Sequence, residues 1–181
     1  RECIDKGKLE TAESAINSAI QKYPRSRTRI PAKFALAEVY QRQQKYDSAL
    51  EILQQVLSDS TAERDKVRAL LLAGEVSFQN KDFPSAAYFY QHLSQRQTVP
   101  QLIGQAFLGM GKAYLAWGKS DSALNCYRQV SKFQLGPPTD QEISFRLGEL
   151  FFFTEQFDSA DFYYRQITDQ SLRSPLANDA L

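Results

Sequence analysis

The chain of 181 residues contains few of the residue types that build reactive sites. It has two cysteines and one histidine, and the cysteines do not follow the spacing of a metal site or of a disulfide framework. Cys3 and Cys126 fall in different predicted helices far apart in the chain, which argues against a disulfide between them. His92 has no cysteine or serine near it in the helical pattern and is typical of a surface or interhelix histidine. The sequence therefore predicts no enzyme, no cofactor and no metal.

Excess charge of one sign and long apolar runs are also missing. The 22 Lys and Arg against 21 Asp and Glu argue against a general polyanion binder, so nucleic acid is not an expected partner. The longest apolar run, near residues 149–153, is far shorter than the roughly 20 residues of a membrane span, and no signal peptide is recognisable. One basic stretch, Lys22–Lys33, contains no acid. It fits either a patch for nucleic acid or anionic lipid or, more commonly, a solvated connector.

What the chain does contain is a repeat of 37 residues. Small residues recur at that interval in two series, and apolar residues around them recur at i, i+3, i+4 and i+7, which predicts pairs of amphipathic helices. The series are Ala37, Gly74, Gly111 and Gly148 in first helices, and Ala12, Ala49, Ala86, Ala123 and Ala160 in second helices. A glycine inside a helix costs about 1 kcal/mol relative to alanine. Gly111 therefore predicts a close approach of the paired helix, with Ala123 as its small counterpart.

These residues resemble the tetratricopeptide repeat, in which a large residue, Leu-Gly and Tyr mark the first helix and Ala and an aromatic residue mark the second. One unit matches with Phe107, Gly111, Tyr114, Ala123 and Tyr127. The resemblance implies an all-α fold, an α-solenoid in which antiparallel helix pairs stack into a right-handed superhelix. It also implies a non-enzymatic protein-protein interaction scaffold. The period of 37 residues departs from the family's usual length of about 34.

The predicted organisation is a single array over residues 1–181 that looks excised from a longer chain. Its units are predicted at about 1–24 (partial), 30–57, 61–95, 100–133 and 139–170, with the start of a further helix at 174–181. In the partial unit, a first helix is expected to end near Lys6 and a second helix to run from Leu9 to Tyr23. The exposed faces of the first and last units, with Phe151, Phe157 and Phe162 near the last, predict end-to-end association of the array.

Local signals mark where individual helices begin and end. Ser60-x-x-Glu63 and Thr139-x-x-Glu142 have the pattern of capping boxes and predict helices that open near residues 61 and 139. Pro100 is expected in the first turn of a helix. Asn80 is expected to end a helix in a left-handed conformation, and Gly118 is expected to form a turn within its unit.

A second stripe follows the first helices, one residue onward from the stripe that pairs the helices. The resemblance implies that it lines a concave groove for a peptide or a partner helix. The candidate groove residues are Phe34, Glu38, Arg42, Leu71, Glu75, Phe78, Leu108, Lys112, Leu115, Phe145, Glu149 and Phe152. The same residues would serve equally to pack adjacent units together, and both interpretations stay open. The apolar first row does not suit a carboxylate clamp and favours an apolar or amphipathic segment as partner.

Two functions from different classes follow from the resemblance. The first is the scaffold that binds a peptide or partner helix in its groove. The alternative is a structural or assembly component of a bacterial cell-envelope complex, because the Pro-x-Ala-x-x-Ala-Leu segment at Pro175 is similar to outer-membrane assembly lipoproteins built from such repeats. The expected location is the bacterial cytoplasm or the periplasm and cell envelope.

Overall fold

The computed structural model describes residues 2–24, 26–97, 99–133 and 137–172, and within these ranges the chain forms nine α-helices and no strand. The predicted all-α fold is confirmed. The predicted further helix at 174–181 lies outside the described residues. The helices are α1 (Glu2–Lys22), α2 (Arg29–Arg42), α3 (Tyr46–Asp59), α4 (Glu63–Gln79), α5 (Phe83–Arg96), α6 (Pro100–Ala116), α7 (Ser120–Val130), α8 (Pro137–Phe153) and α9 (Phe157–Leu172), with a 3-10 turn at Ser131–Phe133.

The chain forms two compact units, residues 1–93 and 94–181. In the first unit α1 packs on α2, α2 on α3, and α3 on α4. In the second unit α6 packs on α7, α7 on α8, and α8 on α9. Helices that are neighbours in sequence are therefore neighbours in space, which is the helix-pair stacking of a tetratricopeptide solenoid.

The first helix differs from the sequence prediction. The partial unit was expected to contain a helix end near Lys6 and a new helix from Leu9, but α1 runs without a break from Glu2 to Lys22. Gly7 is the weakest helix former inside it, and one glycine costs about 1 kcal/mol without ending a helix. The helix ends just before Tyr23, because a residue that precedes a proline is disfavoured in the helical conformation.

The turn inside each helix pair has the same backbone geometry four times. Gln44, Lys81, Gly118 and Glu155, spaced 37 residues apart, have φ angles of 60°, 61°, 76° and 59°. At each turn the next amide donates to a carbonyl five residues back, as from Gly118's neighbour Lys119 to Tyr114 at 2.8 Å. This is the Schellman arrangement. The prediction for Gly118 is confirmed, whereas Asn80 is helical with φ −72° and the left-handed residue is Lys81.

Both predicted capping boxes are wrong, although Pro100 begins α6 as expected. Helix α4 begins at Glu63, and the hydroxyl of Ser60 accepts a hydrogen bond from the Ala62 amide at 3.2 Å and donates to Asp65 Oδ2 at 3.0 Å. Ser60 thus closes a turn ahead of the helix. Helix α8 begins at Pro137, so the backbone of Thr139 already lies inside it.

The close approach of paired helices is a contact between a glycine and a tyrosine ring. A Cβ on Gly111 would lie 2.5 Å from Tyr127 Cε1, and a Cβ on Gly148 would lie equally close to Tyr164. Gly111 therefore leaves room for the ring of Tyr127, which is fully buried, rather than facing Ala123. Ala123 is also fully buried and packs in the same core, one helical turn before the tyrosine.

Candidate protein-binding face

In each unit the first helices of consecutive pairs lie side by side. In the first unit, Gln41 Nε2 on α2 donates to Gln79 Oε1 on α4 at 3.0 Å. In the second unit, Lys112 Nζ on α6 lies 2.7 Å from Glu142 Oε1 on α8. In each unit, we call the side of these two helices that carries the candidate groove residues the first-helix face of that unit. The structure brings the predicted groove residues of one unit together on adjacent helices.

Phe34 does not belong to the accessible part of this face. Its side chain is 2% exposed, and the guanidinium carbon of Arg68 lies 4.3 Å from the centroid of its ring. The prediction that Phe34 lines an open groove is therefore wrong. The ring packs between two helices of the first unit, and an arginine covers it.

The other apolar groove residues of the first unit are half-buried. Leu71 and Phe78 both lie on α4, and the ring of Phe78 contacts the ring of Phe83 edge to face with 5.5 Å between centroids. Edge-to-face pairs of this kind are worth about 0.5–1.5 kcal/mol beyond the area that they bury. Phe78 is thus held by its own helix pair while part of its surface stays accessible.

The second unit presents a larger apolar surface on its own first-helix face. Leu108 and Leu115 on α6 are half-buried against the core of the unit. Phe145 and Phe152 on α8 are 44% and 53% exposed. The ring of Phe145 lies 6.2 Å from that of Tyr164, so the core supports one side of it. Exposed aromatic rings with an apolar base make this part of the face available to a ligand.

The polar row of the face consists largely of ion pairs. Glu38 on α2 accepts a hydrogen bond from Arg68 on α4 at 2.9 Å, and Glu149 pairs with Arg146 on its own helix at 2.9 Å. Glu75 and Arg42 are exposed. The predicted polar groove residues thus lie among charges that the chain already balances, which leaves apolar contacts as the main source of affinity for a partner.

The basic stretch Lys22–Lys33 is partly committed to the fold. Lys33 is almost fully buried and its ammonium contacts Asp59 and Gln55, each at 2.8 Å. Arg29 contacts the same Asp59 carboxylate at 3.0 Å. The hydrogen bond from Lys33 holds the pKa of Asp59 below its usual range. Two of the cations in this stretch therefore serve as an internal anchor and are not available to a partner.

The remaining titratable groups give no chemical site. Burial raises the pKa of the Cys126 thiol to about 11, and Cys3 lies outside the residues whose side chains are described. The ring of His92 lies 4.4 Å from that of Tyr88. Among the described side chains no group of three or more His, Cys, Asp or Glu residues is placed to hold a metal ion. No described helix is both long and apolar enough to cross a bilayer.

An aromatic cluster at the turn between α8 and α9 extends beyond the predicted groove. The rings of Phe152 and Phe153 lie 6.0 Å apart and those of Phe152 and Phe157 lie 5.8 Å apart, and we call these three residues the Phe cluster. Phe153, which was not predicted as a site residue, is 76% exposed. The run of three phenylalanines at 151–153 is the signal that could have identified it. Phe151, which was expected to be exposed, is instead buried against the ring of Tyr163.

Comparison with known proteins agrees with this architecture. Sequence models described as tetratricopeptide repeat match residues 34–98 and 104–134, together just over half of the chain. No curated protein sequence gives a significant match.

Several solved structures share the fold at low sequence identity. A tetratricopeptide repeat protein from Parabacteroides merdae is 17% identical with a TM-score of 0.75, over 96% of this chain and 64% of that one. MamA from Desulfovibrio magneticus is 13% identical with a TM-score of 0.72, over 96% and 92%. PilF from Pseudomonas aeruginosa is 19% identical with a TM-score of 0.68, over 92% and 70%.

Proposed function

The chain belongs to the tetratricopeptide repeat family, and on that basis we propose that it binds an apolar or amphipathic segment of another protein on its first-helix face. Proteins of this family are typically non-enzymatic interaction scaffolds. The chain therefore has the general role of a protein-binding scaffold. What we propose beyond this general role is the location of the binding site and the chemistry of the partner.

The observation that supports the proposal most is the exposure of Phe145 and Phe152 on α8, in the unit whose α6 carries the half-buried Leu108 and Leu115. Aromatic side chains that become fully desolvated on binding often contribute 2 kcal/mol or more each. The two leucines are packed against the core of the unit, so they require little reorganisation before a partner binds.

The spacing of the two rings suggests the form of the partner. Phe145 and Phe152 are seven residues apart on one helix, which corresponds to about 10.5 Å along its axis. A partner helix with apolar residues at i, i+3 or i+4, and i+7 presents its anchors over the same length. Because Arg146 and Glu149, the charges beside Phe145, are paired with each other, we propose an amphipathic helix rather than a strongly charged peptide.

The test begins with selection of amphipathic helical peptides from a display library against the intact protein. We expect Phe145→Ser and Phe152→Ser each to weaken the selected peptide at least about tenfold, measured by fluorescence anisotropy. Tyr88→Ser is the matched control, because Tyr88 is 55% exposed and lies outside the candidate groove residues. Selected peptides that bind both phenylalanine variants as tightly as the parent protein would place the site elsewhere.

A structural role in a bacterial cell-envelope complex is the second candidate. It rests on the segment that begins at Pro175, which lies outside the described residues. A signal peptide followed by a lipid-attachment cysteine upstream in the complete gene would support this role. Fractionation of cells that express the complete gene would then place the protein with the envelope.

We also propose that the chain associates with itself. Of the residues expected to promote this, Phe157 and Phe162 are 59% and 57% exposed. An aromatic surface of this kind tends to be covered in solution. Sedimentation over about two decades of protein concentration tests the proposal, because a self-associating chain gains mass as its concentration rises.

A further inference from the structure

The Phe cluster lies at a position of the helix pair that stays exposed even when a further helix packs against the pair. Phe153 corresponds to Ala116 in the α6 and α7 pair and to Arg42 in the α2 and α3 pair, at multiples of 37 residues. Each of those pairs has a further helix packed against it within its own unit, yet both Ala116 and Arg42 remain exposed. Stacking of another repeat therefore does not account for a phenylalanine that is 76% exposed at this position.

The surroundings of the cluster are acidic. Residues 147–164 contain four carboxylates and no cation, whereas the corresponding residues 110–127 contain two lysines and one aspartate. Two of the four carboxylates form ion pairs with arginines on their own helices. Glu155 and Asp158 are exposed and have no cationic partner among the described side chains. Together with Phe157 they line an open depression of about 360 Å³.

A surface of complementary chemistry lies in the same chain, and we call it the Tyr23 segment: Lys22, Tyr23, Pro24 and Arg27. All four residues are exposed, and the ring of Tyr23 is accessible over 56% of its surface. The Lys22 ammonium lies 5.6 Å from the centroid of that ring. Within the described part of the chain, neither Lys22 nor Arg27 has a carboxylate partner, unlike the cations that bind Asp59.

We infer that the Tyr23 segment of one copy of the chain docks on the Phe cluster of a second copy, an inference that rests on the self-association proposed above. The ring of Tyr23 packs on the exposed phenylalanines, while the two cations of the segment face Glu155 and Asp158. Aromatic rings also attract cations directly when both are partly desolvated. Because the two surfaces differ, the contact is heterologous, and a pair of copies keeps one surface of each kind free, each on a different copy.

The charges around the Phe cluster determine which kinds of partner could bind there. Glu155 and Asp158 repel an anionic lipid surface and the phosphates of a nucleic acid. A cationic segment of an unrelated protein would meet the same chemistry. The second copy is favoured because the required ring and cations are present, exposed and without carboxylate partners in the described part of this chain.

Charge reversal on each surface provides the test. One variant carries Glu155→Arg and Asp158→Arg, and the other carries Lys22→Glu and Arg27→Glu. Each variant alone has like charges on its two surfaces, so we expect it to stay monomeric in sedimentation where the parent chain gains mass with concentration. In an equimolar mixture opposite charges meet again, and we expect the mass to rise as it does for the parent chain.

Single substitutions locate the contact. Phe153→Ser is expected to raise the dissociation constant of the assembly at least about tenfold, whereas Tyr88→Ser, which removes another exposed ring, leaves it unchanged. Phe145→Ser tests the proposed peptide site alone and is expected to leave self-association intact, whereas Phe152 belongs to both sites and its substitution is expected to weaken both.

Three results would overturn the inference. The first is a parent chain whose mass does not change with concentration, even if it captures a foreign cationic partner. The second is a parent chain that associates while both charge-reversed variants associate equally well, which would leave self-association standing through another surface. The third is a mixture of the two variants that fails to regain the mass of the parent chain.

Discussion

Two helix pairs of the chain build the same close approach from different side chains. In α2 and α3 of the first unit the facing positions hold Ala37 and Leu53, and both are buried. In α6 and α7 of the second unit the same positions hold Gly111 and Tyr127, with the ring where a Cβ would be. The two pairs fill the space between their helices in different ways. Tyr127 places a large ring opposite a glycine, whereas Leu53 places a smaller side chain opposite the methyl group of Ala37. The close approach therefore belongs to the pair of positions and not to the glycine alone.

The units also differ on the first-helix face, at positions that correspond to each other. Phe34 in the first unit is 2% exposed, and Phe145 in the second unit, three repeats later, is 44% exposed. Arg68 on the adjacent helix covers the first ring. The same residue type at the same repeat position is thus core in one unit and surface in the other.

The largest expected effect is a difference in the free energy of unfolding between variants of these two phenylalanines. Phe34→Ala should lower the free energy of unfolding by about 3–5 kcal/mol, the usual range for a buried phenylalanine. Phe145→Ala should lower it by only about 1 kcal/mol, because nearly half of its surface is already in water. Urea denaturation of the two variants measures both changes. Equal losses would mean that the two rings have the same environment and that Phe145 is not available to a ligand.

The next prediction concerns Gly111→Ala and Tyr127→Leu, which together give α6 and α7 the residue types that α2 and α3 have at the facing positions. Gly111→Ala should destabilise the parent chain by about 1–3 kcal/mol, because the methyl group overlaps a buried ring. In a Tyr127→Leu background the same substitution should stabilise by up to about 1 kcal/mol, since the space is then free and alanine is the better helix former. The double-mutant cycle measures this change of sign.

The control for that cycle is Gly7→Ala, because nothing lies within 4 Å of a Cβ at Gly7. It should be stabilising by up to about 1 kcal/mol in either background. A Gly111→Ala variant that stabilises the parent chain as Gly7→Ala does would show that the ring of Tyr127 moves aside freely.

The turns provide a smaller contrast. Gly118 has a φ of 76° and Lys81 a φ of 61°, in the same position of two helix pairs. We expect Gly118→Ala to cost about 1 kcal/mol, because the left-handed conformation is strained for a residue with a Cβ. Lys81→Gly should stabilise by about 0.5 kcal/mol, since the relief of strain is partly offset by the greater freedom of glycine in the unfolded chain. Thermal unfolding of the two variants should therefore shift in opposite directions.

The sequence predicted those features that depend on residues close together in the repeat. The 37-residue spacing predicted helix pairs, and Gly118 predicted its turn. It did not predict which residue takes the left-handed conformation where no glycine is present, because Lys81 is placed there by the hydrogen bonds that close the turn and not by its own preference. Local composition also suggested caps that do not form, because the hydroxyl of Ser60 closes a turn ahead of α4 and Thr139 already lies inside α8.

The candidate site was harder to predict from the repeat pattern of the sequence. Its residues were chosen by their register in the repeat, but exposure depends on what the adjacent helix supplies. Phe34 is covered by Arg68, but two repeats later the corresponding positions hold Leu108 and Glu142, and Glu142 pairs with Lys112. A periodic pattern assigns the same environment to every member of a column and so cannot separate Phe34 from Phe145.

The smallest effect concerns one ion pair that occurs in both units with its charges exchanged. Glu38 and Arg68 form it in the first unit, and Lys112 and Glu142, at corresponding positions, form it in the second. Glu38→Lys should therefore cost up to about 1 kcal/mol by placing two cations together, and adding Arg68→Glu should recover about 0.5 kcal/mol of coupling.

The coupling energy is the quantity to measure for this pair, because Arg68 also covers the ring of Phe34 and its substitution carries a separate cost. The same cycle at Lys112 and Glu142 is the matched comparison, since the side chains of that pair are less exposed, at 34% and 35% against 46% and 53%. We expect a somewhat larger coupling there, and near 1 M salt both values should fall because exposed charges are screened within about 3 Å. A coupling energy that is unchanged in high salt would show that the two side chains of a pair interact through packing contacts. The exchanged charges would then contribute nothing to stability through electrostatic attraction.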